Sequence, residues 1–183
     1  MHQLLLLRHA KSAWDDATLA DRDRPLNARG RRAASVMRQV MRDLGLIPDV
    51  ILVSSAKRTL ETLEALEPWD DTPLVESLDA LYLATGPQLL SALQMVAETV
   101  RSVLLIGHNP GLHQLALTLA DIEAADSGGQ GNGQGSGPGS GLAKGFPTAA
   151  LAEFVVPGPW RRLDRGGGRL VRFITPRAME AAG

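Results

Sequence analysis

Arginine and histidine recur in this chain at one kind of position, at or just beyond the end of a short apolar run. Leu4-Leu5-Leu6-Leu7 is followed at once by Arg8 and His9. Ser102 to Ile106 ends in Gly107-His108, and Asp49 to Val53 passes through Ser54-Ser55 into a helical pattern whose first turn holds Arg58. A guanidinium matches phosphate oxygens in bidentate fashion, and helix starts close behind add N–H donors. An imidazole among such cations can attack phosphorus and carry the group covalently, which splits the displacement into two steps. A second imidazole can donate to an equatorial oxygen as charge accumulates there. Two Arg and two His gathered at one place therefore describe phosphoryl transfer driven by fixed cations, with no metal required. Taken singly, each has a plainer reading: a surface Arg8, a capping His9, or a solvated Arg58 that tolerates the helix dipole.

Metal ligation is the competing use of histidine. His108 and His113 are five residues apart, not at the i, i+4 spacing of one helical face, and no carboxylate completes an H-E-x-x-H pattern. His2 and His113 are assigned to structure or surface. A phosphate-binding G-x-x-x-x-G-K-[ST] loop and a G-x-S-x-G elbow are both missing, so nucleotide triphosphatase and serine hydrolase readings find no support.

The elements that must position these residues follow from periodicity. A short apolar run ended by charge reads as a buried strand of an α/β sheet, although a core helix shares the pattern. In open α/β sheets, ligands bind beyond the carboxyl ends of the strands. Asn27 is placed to cap a helix whose apolar stripe is Ala33, Val36, Met37, Val40, Met41 and Leu44, with Gly45 as its stop. Ala56 to Leu66 reads as a second helix, with Leu60, Leu63 and Leu66 inward. Thr72 to Glu76 reads as a short strand, and Ser77 to Thr85 as a loop. Gly86-Pro87 opens a third helix and Leu112 to Leu119 marks a fourth. Toward the end, Ala150 to Val156 and Arg169 to Thr175 read as strands, and Trp160 to Leu163 resumes pairing between them. Strands that follow one another without a helix pair antiparallel. The expected fold is an α/β three-layer sandwich with a mostly parallel sheet and antiparallel C-terminal strands.

Bulk composition narrows the function classes. A chain of 183 residues fits a single domain spanning 1–183. Nineteen Lys and Arg against twenty Asp and Glu leave it near neutral, so neither a nucleic-acid nor a membrane-surface role is indicated. There is no cysteine, which removes disulfides, thiolate chemistry and Cys-based zinc sites. The leading apolar run is shorter than a signal-peptide core, and no stretch approaches the ~20 apolar residues of a membrane span. A cytoplasmic protein is expected; the sequence leaves its oligomeric state open, with a monomer favoured. Ser127 to Gly141 has eight glycines among its fifteen residues and reads as a flexible insertion, about 127–145 at its widest.

Several of these segments together resemble the histidine phosphatase superfamily, whose fold is phosphoglycerate-mutase-like. They are Leu-Leu-Arg-His-Ala (6–10), Val-Ser-Ser-Ala-Lys-Arg-Thr-Leu-Glu-Thr (53–62) and Ile-Gly-His-Asn-Pro-Gly-Leu (106–112). Arg-His-Ala-Lys-Ser (8–12), Asp-Arg-Pro-Leu-Asn-Ala-Arg-Gly (23–30) and Phe-Pro-Thr-Ala-Ala (146–150) are similar to the small SixA-type phosphohistidine phosphatases. The resemblance implies that His9 is the phosphorylated nucleophile, that Arg8 and Arg58 bind phosphate, and that His108 completes the pocket. No cofactor and no metal are expected, because the guanidiniums and imidazoles themselves supply the positive charge. The substrate would be a phosphorylated protein or a small phosphate compound. The alternatives are a small-molecule phosphomonoesterase or mutase, or a non-catalytic module that binds phosphate or phosphohistidine. One departure stands out. Many members carry an acidic proton donor after the third strand, and here only Glu76 and Asp79 are candidates.

Overall fold

The computed structural model describes residues 1–123 and 138–177. Six strands form one sheet in the order β3-β2-β4-β1-β5-β6. They are β1 (His2–Arg8), β2 (Val50–Ser54), β3 (Leu74–Leu78), β4 (Ser102–Gly107), β5 (Leu151–Val156) and β6 (Arg169–Ile174). β1, β2, β3 and β4 run parallel, while β5 lies antiparallel to β1 and to β6.

Strand alternation sends neighbouring side chains to opposite faces, which makes three layers. Leu5, Leu7, Ile51, Val53, Leu104 and Ile106 meet Met37 and Met41 of α1 (Ala28–Asp43) and Leu63 and Leu66 of α2 (Lys57–Leu66). Leu4, Leu6, Leu52, Val103 and Leu105 face the other way, toward α3 (Gly86–Gln94) and α4 (Gly111–Ala120). The continuous apolar run Leu4–Leu7 is thus a strand covered on both sides, and each of its side chains is worth roughly 1.5–3 kcal/mol by burial. The core-helix reading of that run falls away.

Capping follows the sequence. The Asn27 side chain accepts from the Gly30 N–H at 2.8 Å, and Thr85 and Gln88 form a capping box at the start of α3. Gly30 has a further use, because a Cβ there would lie 2.1 Å from the Lys11 carbonyl oxygen. Its absence lets the loop after β1 seat directly on α1, where Asn27 N–H donates to that same oxygen at 3.0 Å.

Four expectations need correction. β3 begins and ends two residues later than Thr72–Glu76, so Ser77 and Leu78 are strand and Asp79–Leu81 is a 3-10 turn. Leu60 is 39% exposed, and Thr59 and Thr62 take the inward positions on α2 instead. Trp160–Arg162 is a 3-10 turn and not a strand, because the Glu98 carboxylate takes the N–H groups of Trp160 and Arg161. The proposed insertion is ordered at its far end: Pro138–Lys144 forms α5, with Leu142 and, just beyond, Phe146 buried. Glycine composition hid that helix, yet at Gly141 it lets Phe173 approach to 3.2 Å of where a Cβ would stand. Residues 124–137, most of the glycine-rich stretch, lie outside the described residues.

Candidate active site

The parallel register of β1 and β4 pairs Arg8 with Gly107, which brings the residues just beyond, His9 and His108, side by side. His9 N–H donates to the Gly107 carbonyl at 3.1 Å, and the two imidazole rings are 5.2 Å apart. β2 lies on the other side of β4, so its last residue, Ser54, reaches His108 Nε2 at 2.7 Å. Arg58, one helical turn later, completes a cavity of about 360 Å³ walled also by Arg8, His9, Lys11, Ser12, Asp21, Arg24, His108 and Asn109.

Each ring is held in a defined state. His9 Nδ1 lies 2.7 Å from the Ala10 carbonyl oxygen, which can only accept. The proton is therefore on Nδ1, and a neutral ring keeps its lone pair on Nε2. Burial pushes the His9 pKa down to about 4, the Ala10 hydrogen bond opposes that, and the Arg58 and Arg8 charges add to the lowering. Burial, followed by His9 and Arg58, brings His108 down to about 3. Both are neutral at physiological pH. His108 Nδ1, Arg8 Nε and Asn109 Oδ1 are buried without a hydrogen-bond partner among the described residues.

These values give an NMR expectation with a defined sign. The His9 ring should keep its neutral shifts to about pH 5 and titrate with a midpoint near 4, where an ordinary imidazole titrates near 6.5. Between those two values the unfolded chain binds more protons than the folded one, so stability rises with pH across that window. Denaturant melts should show full stability above about pH 6.5 and progressive loss as pH falls toward 4. A His9 midpoint above 6 would mean that the ring is not desolvated as the geometry requires.

The acidic candidates from sequence do not reach this cavity. Glu76 is exposed on the edge strand β3, opposite Leu52. Asp79 pairs with Arg22, and hydrogen bonding with Ser55 and then Arg22 holds its carboxyl below the usual range. Among the described residues the carboxylate on the cavity wall is Asp21, which the sequence did not single out. It accepts from Tyr82 Oη at 2.6 Å, from Arg58 Nη2 at 3.0 Å and from Arg24 Nη1 at 2.9 Å. The Tyr82 bond, then Arg58 and Arg24, outweigh its partial burial and keep it ionised. Arg24, Tyr82, Ser54 and Asn109 were also missed. The signal available was the run Asp21-Arg22-Asp23-Arg24, which a solvated loop explains equally well.

Residues 4–79 match the model of the histidine phosphatase superfamily, branch 1. The chain belongs to the histidine phosphatase superfamily. An uncharacterised protein of Mycobacterium tuberculosis is 32% identical over 171 residues, covering 93% of this chain and 100% of that one. A solved structure from Nakamurella multipartitia, provisionally named phosphohistidine phosphatase SixA, superposes with a TM-score of 0.78 at 27% identity, covering 96% of each chain. One from Agrobacterium tumefaciens with the same provisional name gives 0.74 at 28% identity, covering 96% of this chain and 98% of that one. Superfamily membership supports a phosphatase activity, and His9, His108, Arg8 and Arg58 converge on the cavity at the strand exits. No helix among the described residues is long and apolar enough to cross a membrane.

Proposed function

We propose that this histidine phosphatase works through a phosphoryl group carried on His9 and removes it from phosphohistidine in proteins. The observation that carries the reading is the state of His9: neutral, with its proton tied to Ala10 and its Nε2 lone pair free beside two guanidiniums. In the first step the substrate's imidazole carries a proton on its second ring nitrogen; the Nε2–P bond forms as the substrate's N–P bond breaks, and neutral imidazole departs keeping that proton and the bond's electron pair. Arg8 and Arg58 take the equatorial oxygens. In the tautomer with the His108 proton on Nδ1, the Ser54 hydroxyl donates to Nε2 and the unpartnered Nδ1–H is left for another oxygen. In the second step water attacks phosphorus, the Nε2–P bond breaks, and the ionised Asp21 accepts the water's proton. Among the described residues the cavity offers four cations, Arg8, Lys11, Arg24 and Arg58, against one carboxylate, Asp21. That surplus supplies the charge stabilisation which a divalent ion supplies in other phosphoryl-transfer sites. The provisional names of the two superposed structures agree with the substrate class.

The test is release of inorganic phosphate from a phosphohistidine peptide, before and after dialysis against EDTA. Turnover is expected in both, at the same rate. Loss that only a divalent ion restores would remove the metal-free mechanism, and hydrolysis of phosphate esters with none of the peptide would assign a phosphomonoesterase instead.

A further inference from the structure

A second cavity, of about 340 Å³, opens beside the first and shares Lys11 and Thr148 with it. Three of its lining residues are cations from three separate parts of the chain: Lys11 after β1, Arg29 in the first turn of α1, and Arg177 after β6. Among the described residues, no carboxylate lines it. Among the described residues, none of the three cations has an ion-pair partner. Arg29 also stands at the positive end of the α1 dipole, in a first turn without an acidic residue, where a cation is disfavoured. Like charge gathered at some cost, continuous with a phosphoryl pocket, has an anion as its natural complement.

We infer that this groove takes the carboxylate side chains flanking the phosphohistidine of an acidic protein segment, an inference that rests on the phosphohistidine reading above. All three cations are exposed, and Thr148 sits half-buried where the two cavities meet. An extended chain crossing at Thr148 and Lys11 presents acidic side chains to Arg29 and Arg177 while its phosphoryl group lies at His9. Exposed pairs are individually weak and sensitive to salt, so the groove adds recognition to a reaction performed next door.

Two phosphohistidine peptides decide the matter, identical except that Glu and Asp beside the phosphohistidine become Gln and Asn in one. The acidic peptide should show a kcat/KM higher by roughly three- to ten-fold at low salt, carried by KM with kcat unchanged. The advantage should vanish in about 1 M salt, where the screening length falls to about 3 Å. It should also vanish in the double variant R29Q/R177Q, which should hydrolyse 4-nitrophenyl phosphate as the wild type does. Equal turnover of the two peptides by the wild type, or an advantage that survives in the variant, would overturn the groove alone. Failure of both peptides, with the aryl phosphate still hydrolysed, would overturn the phosphohistidine reading and this inference with it.

Discussion

His9→Ala is expected to lower kcat/KM by at least about 10³-fold and to abolish the phosphoenzyme. The wild type, quenched soon after mixing with a phosphodonor, should carry an acid-labile phosphoryl group on the peptide that contains His9. The expectation has a geometric basis in both rings. His9 Nε2 is unprotonated because Nδ1 is committed to the Ala10 carbonyl, whereas His108 Nε2 is engaged by Ser54. Only one of the two imidazoles therefore has the ring nitrogen remote from its Cβ free to attack. The protein should remain folded in the variant, since the Ala10 N–H keeps its 3.0 Å bond to Thr62 Oγ1 and the core strand is untouched. An adduct on His108, with His9→Ala still active, would reverse the assignment.

Turnover should fall steeply with the basicity of the leaving group: phosphohistidine fastest, an aryl phosphate slower, an alkyl phosphate slowest by orders of magnitude. An alkoxide, whose conjugate acid is about as weak as water at ~15.7, leaves only with a proton donor beside it. A phosphohistidine ring protonated on its second nitrogen releases neutral imidazole, whose conjugate-acid pKa is about 6.5, and so needs no further proton donor. The cavity's carboxylate, Asp21, is held ionised by Tyr82, Arg58 and Arg24, so it accepts protons at neutral pH and does not donate them. Asp21→Asn should consequently slow the second step more than the first, by roughly 10²-fold or more, and the phosphoenzyme should accumulate. Glu76→Gln and Asp79→Asn should leave kcat/KM near the wild-type value, because neither side chain lines the cavity. Equal rates on alkyl and imidazole leaving groups, with the alkyl activity alone lost in Asp79→Asn, would place the proton donor at Asp79 after all.

The chain's local patterns were enough to announce the strands and the residues at their exits. An apolar run ended by Arg8-His9, and another ended by Gly107-His108, can be read from neighbouring residues alone. Parallel pairing then gathers the exits on one edge wherever the sheet order places β1, β4 and β2 together. Asn27 as a cap and Pro87 at the start of α3 were legible for the same reason, since a cap acts within one turn.

What needed the tertiary structure lies at long sequence separation or against composition. The carboxylate in the cavity is Asp21, brought to Arg58 across 37 positions and to Tyr82 across 61. No period marks a loop residue for such a contact, so Glu76 and Asp79 looked equally suitable until β3 proved to be the exposed edge strand. Pro138–Lys144 is helical because Leu142 is buried in the α3–α4 layer, although glycine content alone argues for disorder. The neutral state of His9 likewise depends on enclosure, since desolvation by residues distant in the chain is the largest cause of its lowered pKa. Residue type and spacing determined which groups could do chemistry; packing determined their protonation, their partners and the one carboxylate that joins them.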